Sequence, residues 1–249
     1  MRVITGKYKG RHFDIPRTFK ARPTTDFAKE NLFNVLNSYI DWDAEPVALD
    51  LFAGTGSITL ELLSRGCSRV ISIEKDPLHF KFIKSFIDKL QDLNAIPIKG
   101  DVFKYLSQCR EKFDFIFADP PYFLSDGGIS VQSGKIVCVD KGDWDKGGTP
   151  EHIYQFNKQW LSLCRPKLKD NGTIWISGTH HNIFVVQRCL QELGYKILNV
   201  ITWQKSDPPP NLSCRYFNFS TELVIWARKH EKKPHKFNYE TMKQLNGGS

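Results

Sequence analysis

The chain has 249 residues, of which 41% are apolar, as is typical of one large globular domain with extensions. Its apolar runs are no longer than a strand and its N-terminus lacks the apolar core of a secretory signal, so we predict a soluble, cytoplasmic protein without membrane segments. The six cysteines form no CxxC pair and no cluster with histidine at zinc-ligand spacing. We interpret them as reduced thiols and predict no metal site.

The formal net charge is +8, and the first 26 residues are especially basic. Such a patch attracts a polyanion, because paired phosphates release their counterions. The charge alone leaves two interpretations open, a nucleic-acid partner and a merely solvated basic surface. Only Asp14 and Asp26 oppose the basic residues of this segment, which are Arg2, Lys7, Lys9, Arg11, Arg17, Lys20 and Arg22.

The predicted elements begin with a basic hairpin extension over residues 1–26, in which residues alternate around Gly6 and Gly10. An amphipathic helix follows over 27–40. Short apolar strands then alternate with helical segments, which is typical of a parallel sheet covered by helices on both faces. The strands lie in VALDLFA, VISIEK, AIPIKGD and FDFIFAD, and the helices after the first three cover 57–64, 78–90 and 102–110.

The second half of the chain opens with a segment at 127–150 that is rich in glycine, lysine and aspartate and predicts a long loop with one small hairpin. The turn SGTHH at 177–181 is predicted to be a substrate-side loop rather than a metal pair. The chain ends in a charged tail over 230–249. Between the long loop and the tail we predict helices at 152–164 and 183–193 and strands at 173–177, 196–203 and 222–227.

A glycine-rich turn, DLFAGTGS, follows the first strand and opens a helix. Its glycines let the backbone approach a ligand and place amide donors beside it. Acids end the first three strands, and they suit a ribose, an adenine and a cationic centre better than a pyrophosphate. Since GxGxxG and a P-loop lysine are missing, we predict S-adenosylmethionine rather than NAD, although each acid alone could be a helix N-cap. The predicted cofactor residues are Asp50, Phe52, Ala53, Gly54, Thr55, Gly56, Glu74, Lys75, Asp101 and Val102.

The fourth strand ends in Asp119, Pro120, Pro121 and Tyr122, which we call the Asp119 corner and predict to be catalytic. The Asp119 carboxylate and the Pro120 carbonyl can accept hydrogen bonds from an exocyclic amine, and the two prolines make a rigid turn. These acceptors draw the nitrogen lone pair out of conjugation, so that it can attack a methyl group directly. Tyr122 offers a flat face to a base turned out of its stack. A simple turn with an edge tyrosine is the alternative.

Two resemblances follow from these motifs. Residues 1–122 resemble the RsmD-like 16S rRNA guanine-N2 methyltransferase family through RVITGKYKGRHF, RPTTD, DLFAGTGSITLELLSRG and FDFIFADPPY. Residues 119–249 resemble β-class DNA adenine-N6 methyltransferases of restriction–modification systems through FLSDGGISVQSGK, KGDWDK, LKDNGTIWISGTHHNIF and ILNVITWQKSDPPPNLSCRYFNFSTELVIWARK. Both families share DPPY, so the chain resembles a fusion at that corner. In the β class the cofactor turn comes last, whereas here it comes first.

The resemblances imply an α/β, Rossmann-like S-adenosylmethionine-dependent methyltransferase fold with a mostly parallel seven-stranded sheet, helices on both faces and an N-terminal β-hairpin extension. The methyltransferase domain would cover 27–229, with a cofactor half at 27–122, a substrate-side loop at 123–150 and a target half at 151–229. They imply methyl transfer to a base amine, favouring adenine N6 in DNA. The alternatives are guanine N2 in rRNA and a nucleic-acid-binding fusion without turnover.

Six further residues are predicted to contact the nucleic acid. RPTTD resembles the segment before the first helix of the rRNA family, and Trp203 and Lys205 follow the β-class pattern. Trp203 can stack on a base and Lys205 can pair with a phosphate, the alternative being a core tryptophan beside a solvated lysine. Arg215 can contact a phosphate or can be plain surface charge. The predicted substrate residues are Arg22, Thr24, Thr25, Trp203, Lys205 and Arg215.

Overall fold

The computed structural model describes residues 1–16, 19, 26–123, 129–132, 135–138, 149–205, 208, 215, 217–235 and 243, without the side chains of 27, 129–132 and 135–138. The predicted alternation of strands and helices is present throughout these ranges. The helices are α1 (Asp26–Asn37), α2 (Ser57–Arg65), α3 (Pro77–Leu90), α4 (Val102–Gln108), α5 (Pro150–Cys164) and α6 (Ile183–Glu192). The strands are β1 (Val47–Leu51), β2 (Arg69–Glu74), β3 (Ala95–Lys99), β4 (Phe113–Ala118), β5 (Ile129–Gln132), β6 (Lys135–Cys138), β7 (Leu168–Gly178), β8 (Lys196–Gln204) and β9 (Thr221–Arg228).

Seven of these strands form one sheet in the order β3-β2-β1-β4-β7-β9-β8, and β5 pairs with β6 separately. Strands β1 to β4 and β7 run parallel, while β9 is antiparallel to both β7 and β8. The register pairs Gly178 with Leu223 and Trp203 with Glu222. The end of β7, the start of β9 and the end of β8 therefore lie at the edge where the parallel strands also end, which we call the carboxyl edge. The predicted mostly parallel seven-stranded sheet is confirmed.

Helices cover both faces of this sheet, as predicted. Strand side chains alternate between the faces because successive residues point to opposite sides. On one face Leu49 and Ile174 belong to a buried cluster with residues of α4, α5 and α6. On the other face Phe115 and Trp175 cluster with residues of α1 and α2. Two apolar layers therefore enclose the sheet, and a third buried cluster joins the N-terminal extension to α2 and α3.

The N-terminal extension is an antiparallel loop that docks onto α2. In its described residues one isolated bridge joins Arg2 to His12, so the predicted β-hairpin is not formed as two regular strands. Backbone hydrogen bonds join Met1 to Phe13 and Val3 to Arg11 across the loop, and the next two amides bond to a side chain. Ile4 N and Thr5 N donate to the Glu61 carboxylate at 3.0 and 3.1 Å. The extension is thus tied to the helix that follows the glycine-rich turn.

The described cysteines agree with the interpretation as reduced thiols. Cys67, Cys164 and Cys189 are buried, Cys109 is half-buried, and all four are free. Among the helices that the structure describes, none combines the length and apolar character needed to cross a membrane.

Substitution of Gly56 tests how tightly the side chains beneath the glycine-rich turn are packed. Gly56 has a φ of +71°, and a Cβ there would lie 2.8 Å from Ile83 Cγ1 and 2.9 Å from Phe86 Cζ. Gly10 has a φ of +80° but nothing within 4 Å of its Cβ position. Gly56→Ala therefore adds overpacking to backbone strain, whereas Gly10→Ala adds strain alone. We expect Gly56→Ala to lose about 1–3 kcal/mol more unfolding free energy in urea than Gly10→Ala. Equal losses would contradict this constraint.

Candidate active site at the carboxyl edge

The turn after β1 is held against the end of β2 and is open on its outer side. Gly54 N donates to Glu74 Oε2 at 2.7 Å, and Asp76 N donates to Glu74 Oε1 at 2.7 Å. Burial raises the pKa of Glu74, while these backbone hydrogen bonds oppose the shift. Gly54 has a φ of +56°, and the nearest atom to a Cβ there would be Phe52 O at 3.9 Å. A ligand can therefore approach the backbone at Gly54 beside the Glu74 carboxylate.

Phe52 fixes the turn from the side of α5. Its φ is +59°, and its ring centroid lies 5.8 Å from that of Trp160 and 6.2 Å from that of Phe156. Its neighbour in the turn, Ala53, is bonded through its backbone N to Ile73 O at 3.0 Å. These contacts fix the path of the turn. The cofactor roles of Phe52, Ala53 and Thr55 stay predictions.

Asp50 lies beneath the turn and is almost fully buried. Its Oδ2 accepts a hydrogen bond from Thr59 Oγ1 at 2.6 Å. Burial raises the pKa of Asp50 to about 7, the Thr59 hydrogen bonds oppose this, and the charges of Asp119 and Glu74 raise it further. Three carboxylates therefore influence one another at this edge, which favours a cationic ligand and disfavours a phosphate.

Asp101 follows β3 and caps α4. Its Oδ1 accepts from Phe103 N at 2.9 Å, and its Oδ2 lies 3.3 Å from the exposed Lys75 Nζ. Asp101 Oδ1 is therefore a helix N-cap, which is the alternative that the sequence left open for each of these acids. Val102 is the first residue of the capped helix and is buried. Contacts of Lys75, Asp101 and Val102 with a cofactor stay predictions.

The Asp119 corner stands directly beside the turn. Asp119 N donates to Leu51 O, at the end of β1, at 3.4 Å. Asp119 is exposed, whereas Pro120 and Pro121 are buried and hold it in place. Asp119 Oδ1 accepts from Ser177 Oγ at 2.5 Å. The corner thus presents an accessible carboxylate that a residue of β7 orients.

Tyr122 directs its hydroxyl to the same carboxylate. The hydroxyl donates to Asp119 Oδ1 at 2.5 Å and lies 3.5 Å from Ser177 Oγ. Burial, followed by the charge of Asp119, raises the pKa of Tyr122 well above its usual value, so the phenol is neutral. Tyr122 therefore makes a hydrogen bond to Asp119, in addition to the stacking role that the sequence predicts for it.

The predicted substrate residues of the second half are only partly brought to the corner. Trp203 lies in β8, three strands from β4, which is about 14 Å at the usual strand spacing. Its Nε1 is buried without a hydrogen-bond partner among the described residues. Lys205 Nζ is 2.6 Å from Glu222 Oε1, so its charge is already paired. Arg215 is exposed, and Arg22, Thr24 and Thr25 lie outside the described residues.

The structure adds residues that the sequence did not single out. Ser177 was expected only as part of a loop, and its direct bond to Asp119 needs the β4–β7 pairing. Glu222 pairs with Lys205 at the start of β9. In the described part of the chain, no group of three or more His, Cys, Asp or Glu side chains is placed to hold a metal ion.

Comparison with known proteins divides the chain at this corner. Residues 1–133 match the family described as Conserved hypothetical protein 95, and residues 113–248 match a DNA methylase family. The chain belongs to both families. Their matches overlap over residues 113–133, which include β4 and the Asp119 corner. The predicted changeover between two families at this corner is confirmed.

Relatives of this chain include type II methyltransferases. The chain is 52% identical over 166 residues to Type II methyltransferase M2.MboI of Moraxella bovis, covering 66% of this chain and 60% of that protein. It is 56% identical over 155 residues to Type II methyltransferase M2.DpnII of Streptococcus pneumoniae, covering 61% of this chain and 58% of that protein. The match therefore spans about three fifths of each relative's length.

Solved structures support the fold. The putative methyltransferase yhhF of Escherichia coli has a TM-score of 0.59 at 21% identity, covering 93% of this chain and 99% of that one. The putative methylase HI0767 of Haemophilus influenzae has a TM-score of 0.55 at 21% identity, covering 91% and 97%. The predicted Rossmann-like methyltransferase fold is confirmed.

The Asp50→Asn variant tests whether burial raises the pKa of the Asp50 carboxylate. The pKa of Asp50 is about 7 in the folded chain and about 4 in an unfolded one, so the folded state binds more protons between these values. Stability from protonated Asp50 is therefore lost as the pH rises through about 7. Asparagine keeps the acceptor for Thr59 but carries no charge. We expect the variant to gain unfolding free energy over the wild type between pH 5 and pH 8 in urea titrations. An unchanged difference would contradict the raised pKa.

Proposed function

We propose that this chain is an S-adenosylmethionine-dependent methyltransferase that acts on adenine N6 in DNA. The observation that carries the proposal is the exposed Asp119 carboxylate, which stands between Leu51 at the glycine-rich turn and Ser177 in β7. The first neighbour belongs to the cofactor half and the second to the DNA methylase half. A cytoplasmic location is part of the same proposal.

The glycine-rich turn and the acids around it fit S-adenosylmethionine. The carboxylates of Asp50, Glu74 and Asp119 complement a sulfonium cation and would repel a pyrophosphate. Glu74 would hold the ribose hydroxyls, while Asp101 and Val102 would hold the adenine. The open backbone at Gly54 admits the ligand. S-adenosylmethionine bound there would supply the methyl group.

The Asp119 corner would prepare the nucleophile. Asp119 and the Pro120 carbonyl accept the two N–H groups of an exocyclic amine, which localises its lone pair on nitrogen. Ser177 acts as a positioning residue, because its hydrogen bond restricts the Asp119 carboxylate while leaving further acceptor positions. The proline nitrogens donate no competing hydrogen bond. Because the corner lies at a sheet edge, the target base has to leave its stack to reach it.

The choice of DNA over rRNA rests on the second half of the chain. Residues 113–248 match a DNA methylase family, and they contribute the end of β7, which adjoins the corner, and the start of β9 and the end of β8 further along the same edge. The second candidate, guanine N2 in rRNA, is favoured by the resemblance of residues 1–122 to the RsmD-like family and by the basic extension. Both candidates use the same amine chemistry at Asp119.

The modified base distinguishes the candidates. The protein is incubated with labelled S-adenosylmethionine and with duplex DNA, single-stranded DNA or undermethylated 30S subunits, and the labelled nucleoside is identified after digestion. We expect N6-methyladenine from DNA. N2-methylguanine from the 30S subunits would support the second candidate and contradict the first. Cofactor binding without product from any substrate would contradict both and favour a binding protein without turnover.

Asp119→Ala tests the catalytic corner. We expect kcat to fall by about 10²- to 10³-fold, because the target amine loses a preorganised acceptor. Affinity for S-adenosylhomocysteine, measured by calorimetry, should be retained. Asp170→Ala is the matched control, since Asp170 is an exposed acid near the start of β7, where it pairs with Lys229 at 3.3 Å. Full activity of Asp119→Ala, or an equal loss in the control, would refute the assignment.

A further inference from the structure

A flat pair of aromatic rings lies at the carboxyl edge, outside the site described above. His180 follows β7 and Phe219 precedes β9, and their ring centroids are 3.5 Å apart with planes inclined by 9°. Phe219 is 53% exposed, and Phe217 in the same short segment is 96% exposed. Exposed aromatic side chains beside a candidate active site are typical of a binding surface.

The His180 side of this pair is held by a tight turn. Thr179 N donates to Asn182 Oδ1 at 2.9 Å, and Asn182 N donates to Thr179 O at 3.2 Å. Gly178 permits this closeness, because a Cβ there would lie 2.7 Å from Asn182 Oδ1. The His180 backbone therefore has a fixed position relative to the end of β7.

The Phe219 side is held by the end of the β8–β9 ladder. Lys205 N donates to Ser220 O at 2.7 Å, directly beyond the pairing of Gln204 with Thr221. The two rings thus come from segments anchored to neighbouring strands. A surface with both sides anchored is preorganised, so its side chains lose little conformational entropy when a ligand binds.

The pair lies within a short distance of the catalytic corner. Ser177 contacts Asp119, and His180 is three residues beyond Ser177 in the chain. The Cα atoms of Ser177 and His180 can therefore be at most about 10 Å apart. This distance is in the range of one or two nucleotides along a strand. A base beside the target could therefore reach the pair while the target amine lies at Asp119.

The charges around the pair suit a neutral base. Burial, followed by the charges of His181 and Lys205, lowers the pKa of His180, so its imidazole is uncharged at neutral pH. The His180 ring lies between Phe219 and His181, with ring centroids 3.5 and 3.8 Å from its own, so the π face that this stack offers to a base is that of the exposed Phe219. Such a face stacks on any nucleobase at about the same strength, independently of its hydrogen-bonding edge.

We propose that the His180–Phe219 pair, extended by Phe217, stacks on a nucleobase next to the target base of the DNA strand. The inference rests on the proposed function and adds a second base-binding position to it. Tyr122 faces the target amine at the corner, whereas this pair holds the flanking base. The pair thereby fixes the strand while the target base is turned out.

The test measures binding by fluorescence anisotropy with two labelled probes, a mixed-sequence single-stranded DNA and a strand of the same length made of abasic nucleotides. Phe219→Leu should weaken binding of the base-bearing strand about tenfold and leave the abasic strand unaffected, because only the stacking contact is lost. Phe219→Tyr should bind as the wild type does. Leu93→Ala removes another exposed apolar side chain, ahead of β3 at the opposite edge, and should change neither affinity.

The outcomes separate this inference from the proposed function. If Phe219→Leu binds the base-bearing strand as tightly as the wild type, or loses equal affinity for both probes, the stacking role is overturned even when the wild type methylates DNA. If the wild type methylates no DNA but its binding of the base-bearing strand depends on an aromatic side chain at 219, the proposed function fails and the stacking surface stands.

Discussion

The pairing of β4 with β7 is the constraint on which the site depends. Its register places Ala118 beside Ile176, one belonging to the first half of the chain and the other to the second. One residue further on, Asp119 and Ser177 meet at 2.5 Å. Because side chains alternate along a strand, a register slip of one residue would turn Ser177 away from the carboxylate. The geometry of the Asp119 corner therefore depends on the register between β4 and β7.

The same pairing explains how the two halves combine although β-class proteins carry similar blocks in another order. In the sheet the first half supplies the contiguous strands β3, β2, β1 and β4, and the second half supplies β7, β9 and β8. A sheet requires neighbours in space, and crossover connections can join them in more than one chain order. Both family matches include β4, at residues 113–133, so this strand pairs with β1 of the first half on one side and with β7 of the second half on the other.

Two chemical environments lie side by side along the carboxyl edge. The cofactor side gathers Asp50, Glu74 and Asp119, and burial raises the pKa of Asp50 to about 7. The side beyond β7 carries aromatic rings instead, with His180 stacked on Phe219. An acidic pocket suits a cation, and an uncharged flat surface suits a base. Buried carboxylates oppose stability, and active sites commonly accept that cost because function requires the charges.

Local patterns in the sequence were sufficient for much of this architecture. The alternation of apolar runs and helical segments predicted the elements, because strand and helix periods are local. The Gly54–Gly56 turn, the acids at strand ends and the rigid corner at 119–122 followed from residue types and spacing alone.

The long-range contacts required the folded chain. Ser177 and Asp119 are 58 residues apart, His180 and Phe219 are 39 apart, and no local period links such pairs. Similarly, Glu61 accepts hydrogen bonds from the amides of Ile4 and Thr5, 57 and 56 residues away, and so ties the N-terminal extension to α2. Sequence spacing singled out the candidate groups for the site, whereas strand pairing and packing determined which of them meet, because contact between distant residues depends on the whole sheet.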